Sequence, residues 1–194
     1  MAAIAVQNDL TFTVHLPFDL YGGVESHAFR VAERVIRLTE PLTPYAYVFH
    51  IEHRTPGTAE WYEAGRQAIE ALLPVVASPA LLCLENLESY APDLLEPFFT
   101  EYPIARTLDI GHLWKAGLDP FPYIAKWLPT TRVIHLHGVR REAERVVDHL
   151  SLAVMEPTEV AQVLTALRGY NGVLTLEVFE DDFWTSHEMV AGVE

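Results

Sequence analysis

Nine histidines stand among the 194 residues. All but His27 and His187 lie in or beside apolar runs, where a polar side chain is costly unless something binds it. Six such runs, residues 10–15, 45–50, 81–85, 105–109, 132–135 and 173–177, close in turn on His15, His50, Glu85, Asp109, His135 and Glu177. Imidazoles mixed with carboxylates suit Zn²⁺, Mn²⁺ or Fe²⁺ better than Ca²⁺ or Mg²⁺. A carboxylate that ends an apolar strand must be paired or metal-bound, and one shared among several histidines suits more than one ion. The set extends into the following loops. His112 comes three residues after Asp109, and His137 is followed by the adjacent pair Asp148-His149. His53 is a further loop histidine near the second run, whereas His27 and His187 read as surface residues.

The six runs are short and rich in β-branched and aromatic residues, which is the pattern of buried parallel strands. Helical spacing fills the intervals between them. Val24, Ala28, Val31 and Val35 recur at one spacing. Trp61, Gly65, Ala68 and Leu72 follow a Pro56-Gly57-Thr58 start, and Val160, Val163, Leu164 and Leu167 precede a stop at Gly169. The interval between His137 and Asp148 reads as one more helix, with Arg140, Arg141 and Arg145 on its solvated face and one of them a candidate for holding a phosphate near His137. Trp114 and Tyr123 read as core packing. Strands alternating with helices predict right-handed βαβ units around a parallel sheet, whose carboxyl ends meet on one face where sites are built. A full (β/α)₈ barrel takes about 250 residues. Six strands therefore predict one α/β domain over residues 1–194, a TIM-type barrel lacking its opening βα unit, with numbering from an internal methionine or a homodimer completing the ring as the two explanations.

Composition narrows the function class. Thirteen Lys and Arg against 27 Asp and Glu give a formal charge of −14, which repels phosphate backbones and argues against a nucleic-acid partner. A single cysteine, Cys83, excludes an internal disulfide and a cysteine-based zinc finger. No apolar run has the length of a membrane span, and the first residues lack the basic and apolar regions of a signal peptide. The expectation is a cytoplasmic protein without a membrane partner.

Leu84-Glu85-Asn86 and Leu108-Asp109-Ile110-Gly111-His112 with Ala116-Gly117 resemble the xylose-isomerase-like barrels, in particular their endonuclease IV branch. More specific segments are Val14-His15-Leu16-Pro17-Phe18-Asp19-Leu20, His135-Leu136-His137-Gly138-Val139 and Leu174-Thr175-Leu176-Glu177-Val178-Phe179. These resemble the cobamide-remodelling phosphodiesterases, the CbiR family, over residues 10–180. That resemblance implies a metal-dependent hydrolase that opens the nucleotide loop of a corrinoid substrate using two or three Zn²⁺ or Mn²⁺ ions. It implies His15 and His50 on one ion, Glu85 bridging to a second held by Asp109, His135 and Glu177, and His112 on a third. Glu85, Glu177 and His137 are then the catalytic set. Endonuclease IV has an Asp-x-His pair where this chain has adjacent Asp148-His149, so one of the two is expected to ligate, with His149 carried into the ligand set. The rival reading is a ketose epimerase or sugar isomerase. It places one Mn²⁺ or Co²⁺ on Glu85, Asp109, His135 and Glu177, with Glu85 and Glu177 moving the proton. A third is a metal-dependent binding module without turnover.

Overall fold

The computed structural model describes residues 2–17, 19–51, 55–180 and 182–192; His53 lies outside the described residues. Among the described residues, six strands form one sheet in sequential order, and a separate two-stranded sheet follows the fifth of them. This is the expected α/β architecture, an incomplete TIM-type barrel. The chain divides into two compact units, Met1–Glu85 with Tyr90–Arg106, and Asn86–Ser89 with Thr107–Glu194.

The first unit contains α1 (Ala2–Gln7), β1 (Thr13–His15), α2 (His27–Thr39), β2 (Ala46–Phe49), α3 (Ala59–Leu72), β3 (Leu82–Glu85) and α4 (Glu96–Glu101). β1 pairs with β2, and β2 with β3, both in parallel. Every residue of β2 and β3 is buried, which accounts for their unbroken apolar sequence. Helix α3 begins where expected: the Thr58 hydroxyl accepts from the Trp61 N–H and caps the first turn. Its buried face carries Trp61, Gly65, Ala68, Ile69 and Leu72. Trp61 meets Phe98 of α4 at 5.4 Å between ring centroids.

Helix α2 corrects the sequence expectation. The Ser26 hydroxyl caps the Phe29 N–H, so the helix starts after Val24, which is 56% exposed. The buried stripe is Phe29, Ala32 and Ile36 rather than Val24, Ala28, Val31 and Val35. The cap fixes the helix start, and Phe29 and Ile36 outweigh the smaller side chains for the core.

The second unit receives the end of β4 (Ala105–Asp109) and continues through α5 (Ile110–Ala116), α6 (Phe121–Trp127), β5 (Thr131–Leu136), β6 (Gly138–Arg141), β7 (Val146–Leu150), α7 (Pro157–Ala166), β8 (Val173–Leu176) and α8 (Asp182–Ala191). The sheet order is β1-β2-β3-β4-β5-β8. β5 and β8 run parallel, with His135 opposite Thr175 and Leu136 opposite Leu176. Leu108, Leu113, Trp114, Trp127, Ile134, Leu136 and Val163 are among the residues of one core, with Tyr123 packed against it. Helix α7 buries Val160, Val163 and Leu164 as expected, and Gly169 adopts a left-handed φ of +81° after it.

The interval between His137 and Asp148 is the second correction. It is an antiparallel hairpin, β6 with β7, not a helix. Gly138 makes it possible, because a Cβ there would lie 2.1 Å from the Ser151 carbonyl oxygen. The three arginines consequently leave the assigned helix face. Arg140 and Arg145 pair with Glu142, and the Arg141 guanidinium donates to the Trp114 carbonyl at 2.9 Å, close to the C-terminus of α5.

Gly65 provides a test of the packing in the first unit. A Cβ at that position would lie 2.5 Å from Phe98 Cζ. Gly65→Ala is therefore expected to destabilise the chain by about 1–3 kcal/mol despite the better helix propensity of alanine, read as a lowered midpoint in denaturant. An unchanged or raised midpoint would contradict the packing described.

Candidate metal centre

In the first unit the parallel register brings three strand ends together. His15 lies opposite Val48 and Phe49 opposite Leu84, so His50 and Glu85 follow at the same level one residue further on. His15 Nε2 is 3.1 Å from His50 Nε2 and 3.2 Å from Glu85 Oε2, and His50 Nε2 is 2.8 Å from that same oxygen. The other ring nitrogens face outward. His15 Nδ1 lies 3.0 Å from the Leu16 carbonyl oxygen, and His50 Nδ1 lies 3.3 Å from Asp19 Oδ1. With the Nδ1–H groups donating to those oxygens, each neutral ring presents its Nε2 lone pair to the centre. This is the orientation a metal-ligating histidine takes from a carboxylate or carbonyl behind it. Two nitrogen lone pairs and a buried carboxylate facing one another require a cation, either a proton or a metal. Burial pulls the His50 pKa down, but the hydrogen bonds to Asp19 and Glu85 more than offset it and push it up to about 10. In the metal-free chain the cation at neutral pH is a proton.

The second unit gathers the remaining candidates. Asp109 ends β4 fully buried and caps α5, its Oδ1 accepting from the His112 N–H at 2.6 Å. Its main chain is clamped on both sides by Asn86, whose amide accepts from the Asp109 N–H at 3.0 Å and donates to the Asp109 carbonyl at 2.9 Å. Asp109 Oδ2 lies 3.5 Å from His112 Nε2 and 3.9 Å from His135 Nδ1, and Oδ1 lies 3.5 Å from His137 Nε2. Glu177 follows β8, where its N–H donates to the Leu136 carbonyl at 3.1 Å, and its Oε1 is 3.1 Å from His135 Nδ1. Asp109, His135 and Glu177 each place a ligand atom within 4.8 Å of the other two, as do Asp109, His112 and His137, and His137, His149 and Glu177.

An orphaned oxygen marks this unit as fitted for a cation. Among the described residues, Asp109 Oδ2 is buried with no hydrogen-bond partner, a costly arrangement that a bound ion would relieve. The His149 N–H donates to His137 Nδ1 at 3.1 Å, and the two imidazoles stack with centroids 4.3 Å apart. His149 reaches this position with a φ of +53°, beside an irregularity in the β6–β7 register. Backbone strain and bulges of this kind concentrate at functional sites. Gly111 is equally specific, because a Cβ there would lie 2.2 Å from the His137 ring.

Every ligand expected from the sequence is thus drawn into one of these groups: His15, His50 and Glu85 in the first unit, and Asp109, His112, His135, His149 and Glu177, with His137, in the second. Of the adjacent pair, His149 Nε2 faces Glu177 Oε2 at 3.7 Å, whereas Asp148 accepts from Lys115 Nζ at 2.7 Å. Sequence reasoning missed Asp19, Asn86, Glu88 and Lys115. Glu88 Oε2 lies 2.7 Å from His112 Nδ1, and Glu88 Oε1 pairs with Lys115. Hydrogen bonding from His112, opposed by burial and reinforced by Lys115, holds the Glu88 carboxyl below its ordinary range. Burial would lower the Lys115 pKa, but Asp148 and Glu88 raise it overall. Its contact with Glu177 raises that of His149 against the effect of burial.

No family model and no curated protein matches the sequence. Solved structures do match the fold. A D-tagatose 3-epimerase-like protein is similar with a TM-score of 0.73 at 17% identity, over 99% of this chain and 81% of its own. A xylose isomerase domain protein from Planctomyces limnophilus gives 0.70 at 16% identity, over 98% and 80%. A Thermus thermophilus protein soaked with ZnCl₂ gives 0.59 at 22% identity, over 95% and 79%. The chain shares the α/β barrel fold of these structures.

The raised pKa of His50 makes stability depend on pH in a defined sense. Its bound proton favours the folded metal-free chain fully below the unfolded value of 6.5, and this contribution is lost as pH rises through about 10. In chelator, the stability gap between the parent and His50→Gln should be widest below pH 6.5 and close towards pH 10, measured by thermal melts. A gap independent of pH would contradict the proton's place at this site.

Proposed function

We propose that the chain is a metal-dependent enzyme of the sugar epimerase or isomerase kind, acting on a small polyhydroxylated carbonyl compound. The observation that carries this reading is the group Asp109, His135 and Glu177. Two of its members are buried, while the Glu177 side chain retains 20% exposure, enough to meet a substrate. These three would hold one divalent ion, and zinc is a candidate because zinc accompanies two of the similar folds. Bound there, the ion would polarise a carbonyl or enolate oxygen and acidify the neighbouring C–H.

The protein side of the reaction follows from the residues. Asn86 holds the Asp109 main chain and the His112 N–H holds its Oδ1, which leaves Oδ2 for the ion. Glu177 accepts the substrate proton at a carboxylate oxygen. Isomerisation needs only its return to the neighbouring carbon, whereas epimerisation needs a second acid to deliver a proton to the opposite face, because return from the Glu177 side regenerates the substrate. The names of similar folds support the substrate class, since they include a D-tagatose 3-epimerase-like protein and an L-ribulose 3-epimerase.

One observation favours a second reading, the cobamide phosphodiesterase suggested by the sequence. The group His15, His50 and Glu85 offers three further ligand atoms, for which a one-metal epimerase has no evident use. Two cations would balance the charge of a phosphodiester and favour in-line displacement.

Elemental analysis combined with two assays separates the readings. The first predicts metal-dependent epimerisation of a ketose with deuterium entering from D₂O at the carbon beside the carbonyl. It also predicts a fall in kcat of roughly 10²–10⁴ in Glu177→Gln. Two or more ions per chain, inert ketoses and a metal-dependent cobinamide-type product from cobalamin would overturn it in favour of the second.

A further inference from the structure

The resemblance read from the sequence calls for a third metal on His112, and the second unit does contain the ligand group for one: Glu88, His112 and Asp148, with atoms within 4.8 Å of one another. That position already has its cation. Lys115 Nζ pairs with Glu88 Oε1 and lies 2.7 Å from Asp148 Oδ2. Lys115 and His112 are three residues apart on α5, on the same face of the helix. An ammonium seated between the two carboxylates occupies the position and supplies part of the charge that a third ion would bring, so Glu88, His112 and Asp148 do not fit a third metal.

Each carboxylate on the lysine also grips a histidine. Glu88 Oε2 meets His112 Nδ1 at 2.7 Å, which leaves His112 Nε2 facing Asp109 Oδ2 at 3.5 Å. Asp148 Oδ2 meets His149 Nδ1 at 3.5 Å, which leaves His149 Nε2 facing Glu177 Oε2 at 3.7 Å. We propose that Lys115 is a positioning residue that takes the place of a third metal ion and, through Glu88 and Asp148, aims His112 and His149 at the metal-binding carboxylates Asp109 and Glu177. One side chain thus orients two histidines by the carboxylate–histidine pairing that usually tunes a metal ligand. It also separates the roles of the adjacent pair, with Asp148 orienting and His149 presenting its nitrogen to the site.

The inference rests on the metal reading above, and Co²⁺ titration of the metal-free full chain, followed by visible absorption, tests the two separately. A parent that takes up no Co²⁺ overturns both. With Co²⁺ bound to the parent, Lys115→Met is expected to weaken it by roughly 10- to 100-fold and to alter the absorption band, while Lys115→Arg recovers most of both. Far-UV circular dichroism checks the fold. If Lys115→Met does not fold, Glu88→Gln and Asp148→Asn replace it, each expected to weaken Co²⁺ binding. Parent-like affinity and spectrum in the folded variants would overturn the proposal and leave the metal reading standing. So would an additional Co²⁺ equivalent in Lys115→Met with the original binding unchanged, since the lysine would then be excluding an ion without orienting anything.

Discussion

Acceptor atoms converge at the ends of parallel strands in both units, and the rest of the molecule is arranged around the charge they demand. In the first unit His15 Nε2, His50 Nε2 and Glu85 Oε2 approach one another within 3.2 Å. In the second, Asp109 is fully buried, and among the described residues one of its oxygens has no hydrogen-bond partner. Burying a carboxylate in this way is strongly unfavourable unless positive charge accompanies it. A proton on His50 serves in the metal-free first unit, and a divalent ion would satisfy several lone pairs at once.

The scaffold has to hold these groups apart from water and in register. Parallel pairing aligns the ends of β1, β2 and β3. In the second unit Asn86 ties both main-chain polar groups of Asp109. Gly111 lets the His137 ring lie against α5, and the hairpin β6–β7 carries His149 over that ring at a left-handed backbone angle. These contacts fix the directions in which the Asp109, His137 and His149 side chains point.

The strand-end histidines and carboxylates are legible because strands end where apolar character ends, and such a residue closing an apolar run is conspicuous. Helix α3 was legible because Thr58 caps it in the expected place. Helix α2 was read out of phase because its repeating valines are weaker core formers than Phe29 and Ile36. The hairpin was not legible at all. Arg141-Glu142-Ala143-Glu144-Arg145 has the composition of an exposed helix, and it lacks the Asn-Gly or Gly-Gly that announces a tight turn. Glu88 and Lys115 were invisible for a related reason, since isolated charges in a loop and on a helix read as solvated surface. Only the fold shows that they meet His112 and Asp148.

The role proposed for the strand-end carboxylates and histidines is to hold divalent metal. The most direct measurement is elemental analysis of the purified protein after loading with Zn²⁺ and desalting, the parent beside Asp109→Asn, with circular dichroism to confirm that both are folded. Asp109→Asn keeps the shape and the helix cap but removes the buried charge. The account predicts at least about one tightly held ion per parent chain and a loss of about one ion in the variant. A folded parent that retains no zinc, or a variant that retains as much as the parent, would contradict it.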